Sequence, residues 1–523
     1  MRRLLLALLA VATSWSVVAA APRVLDLPGP DKAALVAEDL AREDPGPARF
    51  AWPYDLALTP GDGDGWSRLT GGSHRWELDV SAPGALSLGF GFARFRLPWG
   101  GELVITGREG PQRRFTAADN ADHGELWTPV VLGDRARITL TLPPGHRDDF
   151  ALELVRVGRG YRLFGEPPAA EKQGWCNIDV VCPEGDPWRT EIRSVGVYTL
   201  QGAWACTGVM VNNTARDETP YFLTADHCDV DVDNDETLVV YWNFESPECG
   251  DLGGGSLEDT QSGAEWRAAY VPSDFTLLEL TAPPDTSWHV TYAGWDRSGA
   301  TPQSAVAIHH PSTDEKAISF EDDPLTITSY LQDIPGNQTH WRVADWDLGT
   351  TEPGSSGSPL FNPQRLIVGQ LHGGQAACGN DLPDWYGRLS VSWTGGGTPE
   401  SQLAHWLDPE NTAPLTLTTH DPLNPEDPEE PEPPAMVSLR GPFGNPVRPG
   451  ESVLVQVDLP EAATATVKVF DVRGRLVAVL HDGTLAAGTH PAVWDGRGAA
   501  AGVYFVRLEA LGEEHTAALT LLR

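Results

Sequence analysis

The chain has 523 residues, with 73 Asp and Glu against 37 Lys and Arg, and a formal net charge of −36. A chain of this length exceeds one hydrophobic core and is expected to form about three domains. A charge of that sign and size keeps a protein in solution and excludes nucleic acid and anionic membrane as natural partners.

Met1-Arg2-Arg3 and the apolar run Leu4 to Ala12, followed by small residues through Ala21, have the pattern of a secretory signal over residues 1–21, cut after Ala20 or Ala21. A membrane anchor would need about 20 apolar residues, and no later segment supplies them, so no membrane span is expected. Residues 22–172 contain no cysteine and carry alternating stretches at Arg75–Val80, Gly101–Ile105, Ala136–Leu142 and Phe150–Val155, separated by Gly and Pro. They are expected to form an antiparallel β domain. No disulfide can tie it to the rest, so it reads as a propeptide that can leave after cleavage; a permanently attached binding module is the alternative.

The six cysteines all lie between Cys176 and Cys378. An even number in an exported chain reads as three disulfides, with 15 pairings open. There is no paired CxxC spacing, so neither a metal nor any other cofactor is expected. Within the same region, Phe222-Leu-Thr-Ala-Asp-His-Cys228 puts His227 at the end of an apolar segment, Ser273-Asp274 opens an apolar strand, and Glu352-Pro-Gly-Ser-Ser-Gly-Ser-Pro359 is a tight turn exposing Ser356 between small residues. Such a turn alone is common in loops. Together the three give the order His, Asp, Ser, which is that of chymotrypsin-type double barrels and not of subtilisins or α/β-hydrolases. The expected fold of residues 173–420 is therefore a mainly β, chymotrypsin-like double β-barrel.

The acidic run Asp229–Glu236 lacks the glycine and glutamate of a calcium loop, having Asn234 and Val240 in their places, and reads as a solvated loop. Thr398-Pro399 with Leu403, Trp406 and Leu407 predicts a closing helix. Residues 421–435 turn to proline and acid alone, a stiff self-repelling linker. In residues 436–523, Val453–Val457, Ala465–Phe470, Leu476–Leu480 and Val503–Leu508 alternate or run apolar between turns, as in a small Ig-like β-sandwich of roughly 85 to 90 residues.

The region from Cys176 to Leu407 resembles the lysyl endopeptidases, secreted bacterial serine proteases of the chymotrypsin fold. Besides the turn at Ser356, the resemblance is carried by Cys176-Asn-Ile-Asp-Val-Val-Cys182, Ser273-Asp-Phe-Thr-Leu-Leu278, Ala307-Ile-His-His-Pro311, Gly369-Gln-Leu-His-Gly-Gly374 and Ser392-Trp-Thr-Gly-Gly-Gly397. It implies His227 as general base, Asp274 as its orienting acid and Ser356 as nucleophile, with the backbone N–H groups of Gly354 and Ser356 as oxyanion hole. It also implies disulfides Cys176–Cys378, Cys182–Cys249 and Cys206–Cys228.

Trypsin's lysine-binding aspartate would fall at Thr350, so that solution is absent. The resemblance instead implies Asp384, in Asp384-Trp-Tyr-Gly-Arg388, with Asp347 and Asp381 as runners-up and a solvated turn residue as the plain alternative. The stretch from Cys378 to Asp384 is shorter than is usual in the family, which leaves arginine open as a second substrate residue. His372 and Gly373 match the wall of the family's substrate channel, and Tyr330 stands where the family has a tryptophan stacked on that histidine.

The C-terminal region resembles the Ig-like domains of flagellar hook-cap proteins that accompany type IX-style sorting, on Val469–Leu476, Ala487–His490, Trp494–Gly496 and Gly502–Phe505. That implies a secreted or surface protein of a Gram-negative bacterium, with secretion machinery or the cell surface as a partner of this domain; a substrate or adhesion module is the rival reading. The expected function is a monomeric endopeptidase acting on proteins and peptides after lysine. Another specificity on the same fold, as in glutamyl endopeptidases, and a non-catalytic surface adhesin are the alternatives. Self-processing is expected after Lys172, leaving a short arm that starts at Gln173, is tethered by Cys176, and unblocks the channel more than it builds it.

Overall fold

The computed structural model of the chain describes residues 21–42, 46–61, 65–162, 173–251, 253–332, 336–424, 436–443, 453–460, 463–485, 488–494, 496 and 499–522. Most of the expected signal, Lys172 and residues 425–435 of the expected linker lie outside them. The chain forms two compact units, Met1–Pro422 and Leu423–Arg523. Among the described residues no helix is long and apolar enough to cross a membrane.

Two antiparallel sheets from Ile178 onward make the double barrel. In the first, Val195–Leu200, Trp204–Met210, Tyr221–Ala225 and Phe275–Leu280 lie side by side, with Val239–Tyr241 and Ala264–Tyr270 outside them. Every residue of Val195–Leu200 and Tyr221–Ala225 is buried, which explains their continuous apolar text: strands covered on both faces need no alternation. The second sheet contains Ala317–Glu321, Ala305–His309, Pro359–Phe361, Ile367–Gly374, Asp384–Arg388 and His340–Val343 in that order. One core joins the two, with Val209, Leu223 and Leu277 of the first packed with Ile308, Phe361 and Ile367 of the second. The cysteines pair as Cys176–Cys378, Cys182–Cys249 and Cys206–Cys228.

The closing helix differs from expectation. Thr398 forms a capping box over a single 3-10 turn, Pro399–Ser401, but Gln402 is extended (φ −143°, ψ 147°). Only one α turn follows, Ala404–Leu407. Leu403 and Leu407 are fully buried, so the apolar spacing marks the core contact correctly and overstates the helix. A separate helix, Leu389–Thr394, precedes it.

The cysteine-free region is a ten-stranded sheet. The expected stretches occur as His74–Ser81, Glu102–Glu109, Val131–Leu142 and Ala151–Gly160, around a core that includes Trp76, Leu78, Phe92, Ile138 and Leu154. It is not held to the protease by the chain alone. Phe50, Trp127 and Val130 share a second core with Val197, Tyr241 and Phe244 of the first barrel, Val130 N–H donates to Tyr241 Oη at 2.9 Å, and Ala48–Arg49 pair antiparallel with Ala205 and Trp204. Departure after cleavage must therefore expose apolar surface and a sheet edge.

In the second unit a three-stranded sheet (Ser438–Phe443, Val453–Leu459, Gly488–Trp494) and a four-stranded sheet (Leu476–Leu485, Ala463–Asp471, Gly502–Ala510, Glu513–Leu521) enclose one core with Val455, Val467, Val469, Val506 and Leu519. This is a β-sandwich of Ig-like type.

The Cys206–Cys228 bridge closes a span of 22 residues next to His227. Replacing both cysteines by serine is expected to cost about 3 kcal/mol, as chain-entropy models give for rings of this size. The midpoint of urea unfolding of the first unit, followed by near-UV circular dichroism, measures it.

Candidate active site

The antiparallel pairing of Tyr221–Ala225 with Phe275–Leu280 ends with Ala225 opposite Phe275, so the residues just beyond these positions, His227 and Asp274, emerge side by side. Asp274 takes a left-handed conformation (φ 56°) after the turn Val271–Ser273. Its backbone carbonyl accepts from Asp226 N–H at 3.0 Å. One carboxylate oxygen accepts from His227 N–H at 3.0 Å, and the other meets His227 Nδ1 at 2.8 Å. The Asp274 loop is bolted from the second barrel: Gln370 Nε2 donates to the carbonyls of Ser273 and Asp274 at 2.7 and 3.0 Å, and Ser392 Oγ donates to Ser273 Oγ at 2.9 Å.

Asp274 is almost fully buried. Burial pushes its carboxyl up, while His227 and two backbone N–H groups pull it back. Burial also disfavours the imidazolium of His227, but the Asp274 carboxylate, with smaller help from Asp229 and Asp226, outweighs it and raises the imidazole above its ordinary 6.5. The shared proton thus belongs on His227 Nδ1. His227 Nε2 has no partner among the described residues, which leaves it free to accept a proton.

Ser356 stands in a loop fixed from both barrels. Thr207 N–H donates to the Ser356 carbonyl at 2.9 Å, and Thr207 Oγ1 donates to the Gly354 carbonyl at 2.8 Å. Gly354 has φ 103°, and a Cβ there would lie 2.7 Å from Thr313 N, so only glycine allows this turn. Neighbouring Ser355 is held by His309, whose Nδ1 is 2.8 Å from Ser355 Oγ and whose Nε2 is 3.0 Å from Ser319 Oγ.

A cavity of about 300 Å³ lies beside Ser356, with Thr351, Leu371, His372, Gly373 and Asp384 in its wall. Asp384 is 1% exposed. Trp346 Nε1 and Thr351 Oγ1 both donate to its Oδ2, at 2.8 and 2.7 Å, and Oδ1 makes no hydrogen bond of good geometry among the described residues. Burial pushes this carboxyl up, and the Trp346, Thr351 and Ala376 N–H or O–H groups oppose it. A solvated turn residue is thereby excluded for Asp384, which lies in the strand Asp384–Arg388. Asp347 and Asp381 are exposed and stand outside the cavity wall. Thr350 is buried with its hydroxyl turned to the Thr351 carbonyl.

The Tyr330 and His372 rings stack at 3.5 Å and 2°, and His372 stacks in turn on His227 at 5.3 Å and 16°. The opposite part of the cavity wall comes from the N-terminal region, with Gly46, Pro47 and Arg49 facing the same space. Gln173 is buried. Its N–H donates to Asp314 Oδ2 at 3.1 Å, and Gly174 N–H donates to Glu352 of the Ser356 loop at 2.8 Å. The acidic run at Asp229–Glu236 is only partly solvated: Asp235 is buried and accepts from Trp266 N–H at 2.7 Å.

His340, Trp346, Thr351 and Asp314 are absent from the residues singled out by sequence. Gln370 and His309 lie inside the quoted blocks, where a polar residue in an apolar strand was the available signal.

Two barrels with a buried His–Asp pair and a strained serine turn at their junction define a chymotrypsin-fold serine peptidase. Residues 170–387 match the model of the lysyl endopeptidase C-terminal domain, and residues 445–514 that of the FlgD Ig-like domain. The chain is 29% identical over 353 residues to the lysyl endopeptidase of Pseudomonas aeruginosa, covering 60% of this chain and 72% of that protein. Similar solved structures include a Glu endopeptidase (17% identity, TM-score 0.27, 41% of this chain and 92% of that one). Another is a serine endoprotease from Yersinia pestis (12% identity, TM-score 0.28, 65% of this chain and 97% of that one).

Because the Asp274 carboxylate is the main group that lifts His227 against burial, Asp274→Asn leaves burial opposed only by the more weakly acting Asp229 and Asp226. The acid limb of the kcat/KM profile is then expected to move to lower pH while kcat falls by roughly 10⁴, as for the same change in a serine protease triad. A pH profile of the purified variant checks both.

Proposed function

We propose that the protein hydrolyses peptide bonds on the carboxyl side of lysine through His227, Asp274 and Ser356. The observation that carries the specificity is Asp384: a buried carboxylate in the wall of the cavity beside Ser356, with two side-chain donors on one oxygen and no side-chain donor or well-formed hydrogen bond on the other among the described residues. A long cationic side chain reaching Oδ1 supplies the missing counter-charge. A glutamate side chain there would meet like charge, which disfavours the glutamyl reading.

In this mechanism Ser356 Oγ attacks the scissile carbonyl as His227 Nε2 takes its proton, and Asp274 holds the Nδ1–H tautomer and stabilises the imidazolium. The oxyanion is received by the N–H groups of Gly354 and Ser356, each worth roughly 3 to 4 kcal/mol in comparable enzymes. His227 then gives its proton to the leaving amine, and water repeats the sequence to free the enzyme. Asp384 bonded to both Trp346 and Thr351 favours lysine's compact ammonium over arginine's planar fork, which asks for two acceptor oxygens in one plane.

The N-terminal region acts as a propeptide in this reading, since Gly46, Pro47 and Arg49 stand in the cavity a substrate would use. Processing after Lys172 turns the Gln173 amide into an ammonium beside Asp314. Burial first, and then Glu315, push Asp314 up to about 8, so at neutral pH in the uncut chain it keeps a proton that the ammonium would replace. The arm then helps hold the Ser356 loop through Glu352 as well as opening the channel. The disulfides suit an oxidising compartment. Export from a Gram-negative cell, with the C-terminal domain as sorting or anchoring module, completes the reading.

Ser356→Ala is expected to lower turnover by roughly 10⁶ with the fold intact, because triad members act as a unit. Expressed without other proteases, that variant should keep its N-terminal region, whereas wild type should begin at Gln173 by N-terminal sequencing.

Asp384→Asn is expected to cost several kcal/mol of transition-state binding for lysine substrates, the penalty of a buried ammonium without its partner. Digestion of a mixed proteome by each form, reading the residue before every cut, measures it; unchanged lysine preference would place the pocket acid elsewhere.

A further inference from the structure

His372, between Tyr330 and His227, is itself held by a chain of side chains that ends at Asn337. Thr339 N–H meets Asn337 Oδ1 at 3.3 Å, and Thr339 Oγ1 meets the same oxygen at 2.7 Å. The backbone N–H can only donate, so the atom it faces is the amide oxygen, and the Thr339 hydroxyl must donate to it as well. Thr339 Oγ1 is then an acceptor toward His340 Nδ1, 2.7 Å away, which places a proton on that nitrogen. A neutral His340 has no second proton, so its Nε2 accepts, and the partner 2.9 Å away is His372 Nδ1. Every proton in the chain is thereby assigned, and His372 carries its own on Nδ1.

The neutral state follows from position. His340 is 2% exposed, and burial together with the nearby Arg388 holds it down to about 4. Burial, His227 and His340 hold His372 down to about 2. The other charged groups around His372 are Asp274, whose Oδ2 is 3.6 Å from His372 Nδ1, and Asp384, Glu352, Asp39, Arg42, Arg49 and Arg162 in the cavity wall.

The 3.6 Å approach matters because Asp274 Oδ2 is also the acceptor for His227 Nδ1–H, at 2.8 Å. Two imidazole N–H groups compete for one oxygen, and His340 draws one of them away. We propose that His340, fixed by Thr339 and Asn337, is a positioning residue that commits the His372 proton to itself and reserves Asp274 for His227. The proposal rests on the triad reading given above.

Without the acceptor at position 340, His372 Nδ1–H turns to Asp274, the carboxylate supports His227 less, and the His227 imidazolium becomes easier to deprotonate. In His340→Phe the acid limb of kcat/KM should move to lower pH by about half a unit, and kcat should fall by about tenfold, a part of the roughly 10²–10⁴ that a general base contributes. Thr339→Val, which frees His340 to change tautomer, should move the limb the same way. His340→Gln, whose amide oxygen can stand in for Nε2, should return it toward wild type.

Nitrogen-15 shifts of labelled histidine in the Ser356→Ala protein report the tautomers without any turnover, and should give Nδ1–H for both His340 and His372. Nε2–H at either residue, or a wild-type acid limb in both His340→Phe and Thr339→Val, overturns the proposal. Full activity of Ser356→Ala would instead overturn the triad reading, so the two failures are separable.

Discussion

The interaction on which the site depends is the buried carboxylate of Asp274. An anion in that position is costly unless its oxygens are occupied by donors, and His227 supplies both: its backbone N–H to one oxygen and its ring Nδ1 to the other. The left-handed Asp274 and the two amide bonds from Gln370 fix the carboxylate at the barrel junction. Neither barrel alone completes this arrangement. The first provides His227 and Asp274, the second provides Gln370, Ser392 and the Ser356 loop, and the shared core keeps them in register.

Asp384 presents the same electrostatic problem with the opposite resolution. Asp274 has a resident cationic partner, whereas Asp384 has only neutral donors, Trp346 and Thr351 on one oxygen, and no ion-pair partner among the described residues. One buried acid is thus paired by the protein and the other, on the reading proposed above, awaits a cationic ligand, within one small region that also contains two neutral histidines. Burial acts throughout: it raises carboxyls and lowers imidazoles, and a specific partner decides which group stays charged.

Much of this was legible in the sequence, and the parts that were not share a cause. His227, Asp274 and Ser356 stand out because each interrupts or bounds an apolar strand with a reactive side chain in a recognisable order. Asp384 emerges only through the resemblance, since an acid before Trp-Tyr-Gly-Arg has no local signature of burial. His340, Trp346 and Thr351 act through contacts that cross strands far apart in the chain, and sequence spacing carries no record of such neighbours. The closing helix shows the limit from the other side: Leu403 and Leu407 were placed in the core by their spacing, but the extended Gln402 that splits the segment comes from tertiary packing overriding a helical pattern. In the N-terminal region strand alternation was readable, while the apolar face of Phe50, Trp127 and Val130 shared with the first barrel was not, because its partners begin at Val197.

That shared face bears on how access and chemistry are related. The His227–Asp274 contact, the turn at Gly354 and the cavity beside Ser356 are all formed while Gly46, Pro47 and Arg49 stand in the cavity wall. The covering segment lies on the edge formed by Trp204 and Ala205, which is continuous through Cys206 with the disulfide that clamps the His227 loop. Holding the N-terminal segment and holding the His227 loop are thus tasks of one strand, Trp204–Met210. A rigid strand can serve both because main-chain pairing uses its backbone edge, while Cys206 and Thr207 use side chains to reach Cys228 and the Ser356 loop. Those side-chain contacts include no residue of the N-terminal region, so its departure, on the reading proposed above, would expose a formed site and not assemble a missing one.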